Sequence, residues 1–232
     1  MNQVTANMLM SGNYATLPKA NLGAMREHLM AAPGIPRVLA AAEVQEYPRE
    51  YQLQLMVEEG IYVWPTLELA EWLAEQGVDM EIGAGNGALA AHLNIRATDN
   101  YSQASDYRPQ KHHLLWQQGR AAMIAAGQAF VTYGQNVERC EALSAVIKYK
   151  PSKIYGCYIT HRFRNGHKDG NQFGPEEEKL IRRCDYIMVG NAKTHANKPI
   201  LAQADSALFF PWLITRGLDQ SLNRIWTWTK TR

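Results

Sequence analysis

Two hydrophobic rhythms alternate along this chain. In TLELAEWLAEQG (66–77), Leu67, Leu69, Ala70, Leu73 and Ala74 recur at helical spacing, with Pro65-Thr66 as a start signal and Gly77 as a stop. After Gly77 the chain switches to short apolar runs. VDMEI (78–82), IRATDN (95–100), NVERCE (136–141), KIYGCYIT (153–160) and DYIMVGN (185–191) read as strands. Between them lie helical patterns: GALAAHL (87–93), residues 107–127, ALSAVIKYK (142–150) and EEEKLIRRC (176–184). Two late runs, ALFFPWLITRG (207–217) and RIWTWTKT (224–231), are separated by LDQSLN and predict an antiparallel pair. Residues 1–60 are helical and irregular. Gly34, Pro36 and Pro48 punctuate them, and LGAMREHLMAA and YQLQLMVEEG read as short amphipathic helices.

Strands alternating with helices predict an α/β fold: a doubly wound, seven-stranded, mostly parallel sheet with a C-terminal antiparallel hairpin. The expected organisation is an N-terminal helical extension over residues 1–60 and one ligand-binding domain over residues 61–232. Ligands in such a sheet bind at the carboxyl ends of the strands.

Composition narrows the classes. The chain has 232 residues, 46% hydrophobic and 20% charged, which excludes a disordered chain. No apolar run approaches the roughly 20 residues that span a bilayer, so no membrane partner is expected. The net charge is +2, from 24 basic and 22 acidic side chains, and does not call for nucleic acid. Cys140, Cys157 and Cys184 are few, odd in number and without metal spacing. They suit a reducing, cytoplasmic setting better than a disulfide framework. The first twenty residues lack the pattern of a secretory signal.

The strongest chemical signal is Glu81-Ile82-Gly83-Ala84-Gly85-Asn86-Gly87, between a predicted strand and a helix. Glycines let the backbone turn sharply and approach a ligand, and the helix start offers N–H groups. Asp99 ends the next strand, where a carboxylate can accept both ribose hydroxyls of a nucleoside. The loop also fits the loose G-x-G-x-x-[GA] dinucleotide pattern. However, Glu81, two residues before the first glycine, suits an ammonium group better than a pyrophosphate.

With E-x-G-x-G-x-G at 81–87, T-D-N at 98–100 and V-E-R-C-E-A-L at 137–143, the chain resembles the class I S-adenosylmethionine-dependent methyltransferases over residues 60–232. The resemblance implies a Rossmann-like sheet of the methyltransferase type and S-adenosylmethionine as cofactor. It places Gly83, Gly85 and Gly87, with Ala84 between them, against the methionine portion. Glu81 would hold the amino group, and Asp99, with Asn100 beside it, the ribose. Glu141 would contact the adenine amino group, a role that can slip to Gln135 or Asn136 because the third strand is short. Glu141 also reads as an N-cap for the helix that follows, and Asp99 as a turn residue.

The fourth strand ends Tyr158-Ile159-Thr160-His161-Arg162-Phe163, the edge that faces the transferred methyl group in this family. Neither the D/N/S-P-P-Y/F motif nor the Pro-Cys pair of DNA methyltransferases occurs. A small-molecule acceptor is favoured, with protein or nucleic acid left open. His161 is the candidate general base, with Thr160 beside it. Solvated or structural roles remain open for both, and for Arg162. Tyr62 and Trp64 read as cofactor cover or core, His195 as a second residue lining the acceptor side, and Trp226 and Trp228 as core. His112-His113 point apart on a helix and make no metal site. HRFRNGHK (161–168) reads as a solvated loop or a phosphate grip, and residues 164–175 as a mobile loop and candidate lid. Two further readings stay open: a non-catalytic S-adenosylmethionine sensor, and a dinucleotide-dependent oxidoreductase.

Overall fold

The computed structural model describes residues 21–108, 113–159 and 174–230. A seven-stranded sheet organises them: β3 (Met80–Ile82), β4 (Arg96–Asp99), β5 (Val137–Arg139), β6 (Lys153–Cys157), β7 (Asp185–Asn191), β8 (Ser206–Leu208) and β9 (Asn223–Trp228). Their order across the sheet is β5-β4-β3-β6-β7-β9-β8. The first five are parallel to one another, and β9 lies antiparallel between β7 and β8. This is the expected doubly wound, Rossmann-like α/β sheet with a C-terminal antiparallel hairpin. The winding reverses between β3 and β6, which opens a crevice at their carboxyl ends.

Side-chain alternation divides the core in two. Met80, Ile82, Ile154, Tyr186, Met188, Trp226 and Trp228 face one side, against Ala145, Val146, Leu180 and Ile181 of the helices Ala142–Tyr149 (α7) and Glu177–Ile181 (α8). Tyr155, Ile187, Val189 and Ile225 face the other. There they meet Leu69, Ala70 and Leu73 of α4 (Leu67–Glu75) and Leu89 of α5 (Ala88–Leu93). Helix α4 begins where its signals place it: the Thr66 hydroxyl accepts a hydrogen bond from Leu69 N–H at 3.2 Å.

The N-terminal region is less regular than its composition predicts. LGAMREHLMAA is helical only over Gly23–Leu29 (α1). Met30–Ala32 (β1) instead turns through Pro33-Gly34 to pair with Ile35–Pro36 (β2). A residue before proline is pushed out of the helical region, which keeps Ala32 from continuing the helix. Helix α2 spans Ala41–Gln45. Helix α3 (Arg49–Glu58) is not amphipathic, because Gln52 through Val57 are all buried. Leu22, Met25, Leu29, Val44, Leu55 and Met56 form one cluster with Trp64 and Ile214.

Two other expectations change. Of ALFFPWLITRG, only Ala207 and Leu208 belong to a strand. Pro211 has no N–H for a ladder, and the rest folds back along residues 62–64. There Trp64 N–H donates to the Ile214 carbonyl, and Arg216 N–H to that of Tyr62. The helix expected at 107–127 occupies His113–Ala125 (α6). No helix among the described residues is long and apolar enough to cross a membrane.

Candidate ligand site at the switch of the sheet

A cavity of about 490 Å³ opens at the carboxyl ends of β3, β4, β5 and β6. That is the size of a small-molecule or cofactor pocket. Its floor is the loop after β3. Gly83, Gly85 and Gly87 have φ of 58°, 53° and 67°, in the left-handed region. Gly87 also lacks room for a side chain: a Cβ there would lie 2.5 Å from Val137 Cγ2 at the start of β5. Much of the loop's polarity is used internally. The N–H groups of Ala84, Gly85, Gly87 and Ala88 donate to Thr98 O, Asp99 Oδ2, Ala84 O and Asn86 Oδ1, respectively. The loop is thus a self-supporting turn tied to β4, with these four donors already engaged.

Three carboxylates stand around this floor. Glu81 is 3% exposed, and its Oε2 has no hydrogen-bond partner among the described residues. Burial pushes its pKa up to about 8; the Ala90 N–H pulls it down, and the nearby Asp99 adds to the rise. Asp99 is held at both oxygens, by Gly85 N–H at 3.0 Å and Tyr101 N–H at 2.7 Å. Burial raises its pKa too, against those two hydrogen bonds. It therefore shapes the turn and still faces the cavity. Glu141 is exposed and occupies the N-cap position of α7, but its side chain does not cap. Instead its Oε2 accepts a long 3.4 Å contact from Asn100 Nδ2. Asn136 is turned elsewhere, donating to the Gly87 carbonyl. All the expected cofactor residues except Gly87 line the cavity, and Gly87 packs just behind it.

The walls were not foreseen. The described parts of the β4–β5 connection (residues 100–108 and 113–136) contribute several residues to the cavity wall. Trp116, Gly119, Arg120 and Met123, spaced along one side of α6, line it. Gly60 (φ 68°) lets this connection pack close, since a Cβ there would sit 2.5 Å from the Phe130 carbonyl oxygen. Gln103 ties the parts together. Its amide donates to Tyr62 Oη at 3.0 Å and accepts from Val131 N–H at 3.0 Å. Its backbone N–H donates to Tyr133 Oη, and its carbonyl accepts from Arg120 Nη1. Tyr133 stacks on Tyr101 with ring centroids 3.9 Å apart. The only sequence signal for Gln103 is its place just beyond Asp99.

At the β6 end, Tyr158 takes φ 45°, an unusual conformation for a bulky residue. Its hydroxyl donates to Thr215 Oγ1 at 2.9 Å, its ring leans on Tyr62, and burial pushes its pKa up to about 12. Tyr62 lines the cavity, whereas its neighbour Trp64 is fully buried in the core. His195 is buried behind Tyr158, with ring centroids 5.0 Å apart, and does not line the cavity. Trp226 and Trp228 are core, as expected. Ile159, Gly174 and Pro175 line the cavity edge.

Thr160 and His161 lie outside the described residues, as do HRFRNGHK, His112 and most of 164–175. Among the described residues no cluster of His, Cys, Asp and Glu could hold a metal. No protein-family model matches this chain, and no curated protein matches it.

Proposed function

We propose that the cavity binds S-adenosylmethionine and that the chain transfers its methyl group to a small-molecule acceptor. One observation carries this reading. Glu81 within β3, Asp99 at the end of β4 and Glu141 just beyond β5 surround one cavity, over a glycine turn hydrogen-bonded to Asp99. A nucleoside carrying an amino acid presents an ammonium group, a ribose diol and an adenine amino group. Each is a hydrogen-bond donor suited to a carboxylate. The antiparallel strand between β7 and β8 supports the same reading, since the late hairpin is part of the resemblance. A dinucleotide fits less well, because its pyrophosphate would meet two buried carboxyl groups and a loop whose N–H donors at 84, 85, 87 and 88 are engaged.

In the transfer, a nucleophilic acceptor atom attacks the methyl carbon in line. The sulfonium leaves as a neutral thioether, and the acceptor's proton goes to a base. Positioning supplies much of such a reaction. Thr160 and His161, next in the chain after Ile159, remain the candidate acceptor-side residues, with His161 as base.

Calorimetry with S-adenosylmethionine, S-adenosylhomocysteine and NADH tests the ligand. Binding of the first two is expected, weakened about tenfold or more by Asp99→Ala. No heat with either, or preference for NADH, overturns the reading. Incubation with labelled S-adenosylmethionine and a cell extract should then place label in the small-molecule fraction. Binding without turnover would instead assign the chain to the sensors.

A further inference from the structure

A second side chain at the floor of the cavity is poorly partnered, like Glu81. Tyr155 is 1% exposed, and its hydroxyl meets no oxygen or nitrogen partner among the described residues, only the thiol of Cys157, a weak partner two residues along the strand. The two are direct neighbours, because the β3–β6 register pairs Glu81 with Tyr155 and sends both side chains to the same face. Both line the same cavity. Buried polar atoms almost always have good partners, so a carboxyl oxygen with none beside a phenol with only a thiol needs an explanation.

The cavity supplies one. We propose that Tyr155 is a binding residue for the amino-acid end of the ligand, its phenol oxygen and the Glu81 carboxylate together holding one ammonium group. This rests on the reading of the cavity as an S-adenosylmethionine site. An ammonium carries three donors and a positive charge, enough for a carboxylate oxygen and a phenol oxygen at once. A water or a neutral amide brings at most two donors and no charge. The phenol adds what a carboxylate alone lacks: it can accept from the ammonium while donating its own proton to Glu81, so every buried oxygen is satisfied in the complex. Tyr155 therefore selects for ligands with an amine at this position over nucleosides that lack it.

Tyr155→Phe removes only the hydroxyl. Calorimetry on the wild type and this variant, with S-adenosylhomocysteine (which has the ammonium) and 5′-methylthioadenosine (which lacks it), separates the possibilities. S-adenosylhomocysteine affinity should fall about tenfold while 5′-methylthioadenosine affinity stays level. The melting temperature without ligand should hold or rise, because the hydroxyl gives up only a weak partner, the Cys157 thiol. Equal loss for both ligands, or no loss for S-adenosylhomocysteine, overturns the role of Tyr155. A drop of several degrees in the unliganded variant also overturns it, since the phenol would then have an internal partner stronger than a thiol. A wild-type chain that binds S-adenosylhomocysteine with an unchanged preference in the variant refutes Tyr155 alone. A wild-type chain that does not bind it refutes the site reading and this assignment together.

Discussion

Glu81 and Glu177 are buried to nearly the same degree, at 3% and 2% exposure, and burial raises the pKa of both. Their surroundings differ. Glu177 accepts a hydrogen bond from Tyr186 Oη at 2.8 Å and forms an ion pair with Lys198, which is itself 3% exposed. Glu81 has one oxygen without a partner and faces a cavity. A buried carboxylate is therefore not a functional signal by itself. Partnered on all sides, as at Glu177, it locks α8 to the segment after β7. Left with an unpartnered oxygen toward a cavity, as at Glu81, it is a candidate to hold a cationic group of a ligand.

The largest effect should come from breaking the closed pair. Lys198→Met leaves the buried Glu177 without its counter-ion, and should cost about 3–5 kcal/mol in denaturant unfolding. Adding Glu177→Gln should recover much of that loss, while S-adenosylhomocysteine binding stays near wild type wherever the protein is folded.

The matching change at the open site acts on binding instead. Glu81→Gln should weaken S-adenosylhomocysteine about tenfold to a hundredfold by calorimetry. It should also change the pH dependence of stability. The folded-state pKa of Glu81, about 8, lies above the ordinary value of 4.5. Between those values the folded chain holds a proton that the unfolded chain has released. Raising the pH through this window thus removes stability, by up to about 1.4 kcal/mol per pH unit, and the loss levels off above pH 8. Asp99 on β4 and Tyr155 and Cys157 on β6 interact electrostatically with Glu81. The variant therefore serves as the reference: the gap in melting temperature, Glu81→Gln above wild type, should widen from about pH 5 to about pH 8. A constant gap would show that Glu81 is already ionised in the empty cavity.

The smallest effect belongs to Glu141→Gln. This side chain is exposed and loosely held, so a loss of no more than a few-fold in S-adenosylhomocysteine affinity is expected. A loss matching that of Glu81→Gln would mean that the ligand buries Glu141 and brings it to the same standing.

The glycine turn was legible because its grammar is local. A short strand, three glycines and a helix start lie within fifteen residues, and the glycines do take left-handed φ. The strand after it and Asp99 followed by counting. Residues 207–217 misled, because Phe, Trp, Leu and Ile suggest a strand whatever lies opposite. Here the partner of residues 214–216 is the segment 62–64, not the sheet. EEEKLIRRC (176–184) reads only as a helical pattern, yet Glu177 within it meets a lysine twenty-one residues away. Tyr62 and Trp64 share a sequence context, but only one reaches the cavity, because the Gln103 amide and the Arg216 guanidinium, 4.0 Å from its ring, hold Tyr62 outward.

By itself, the sequence determined the alternation of strands and helices, the parallel sheet that follows from it, and the glycine turn with Glu81 just before it and Asp99 at the end of the next strand. These depend on periodicity and on backbone conformations that only a few residue types allow, and both are written in neighbouring residues. The tertiary structure decided which buried polar groups have partners. Glu177 found Lys198 and Tyr186; Glu81 and Tyr155, joined by strand register, were left open to the cavity. Partnership across a fold depends on which distant segments the sheet brings together, and that is a property of the packed chain.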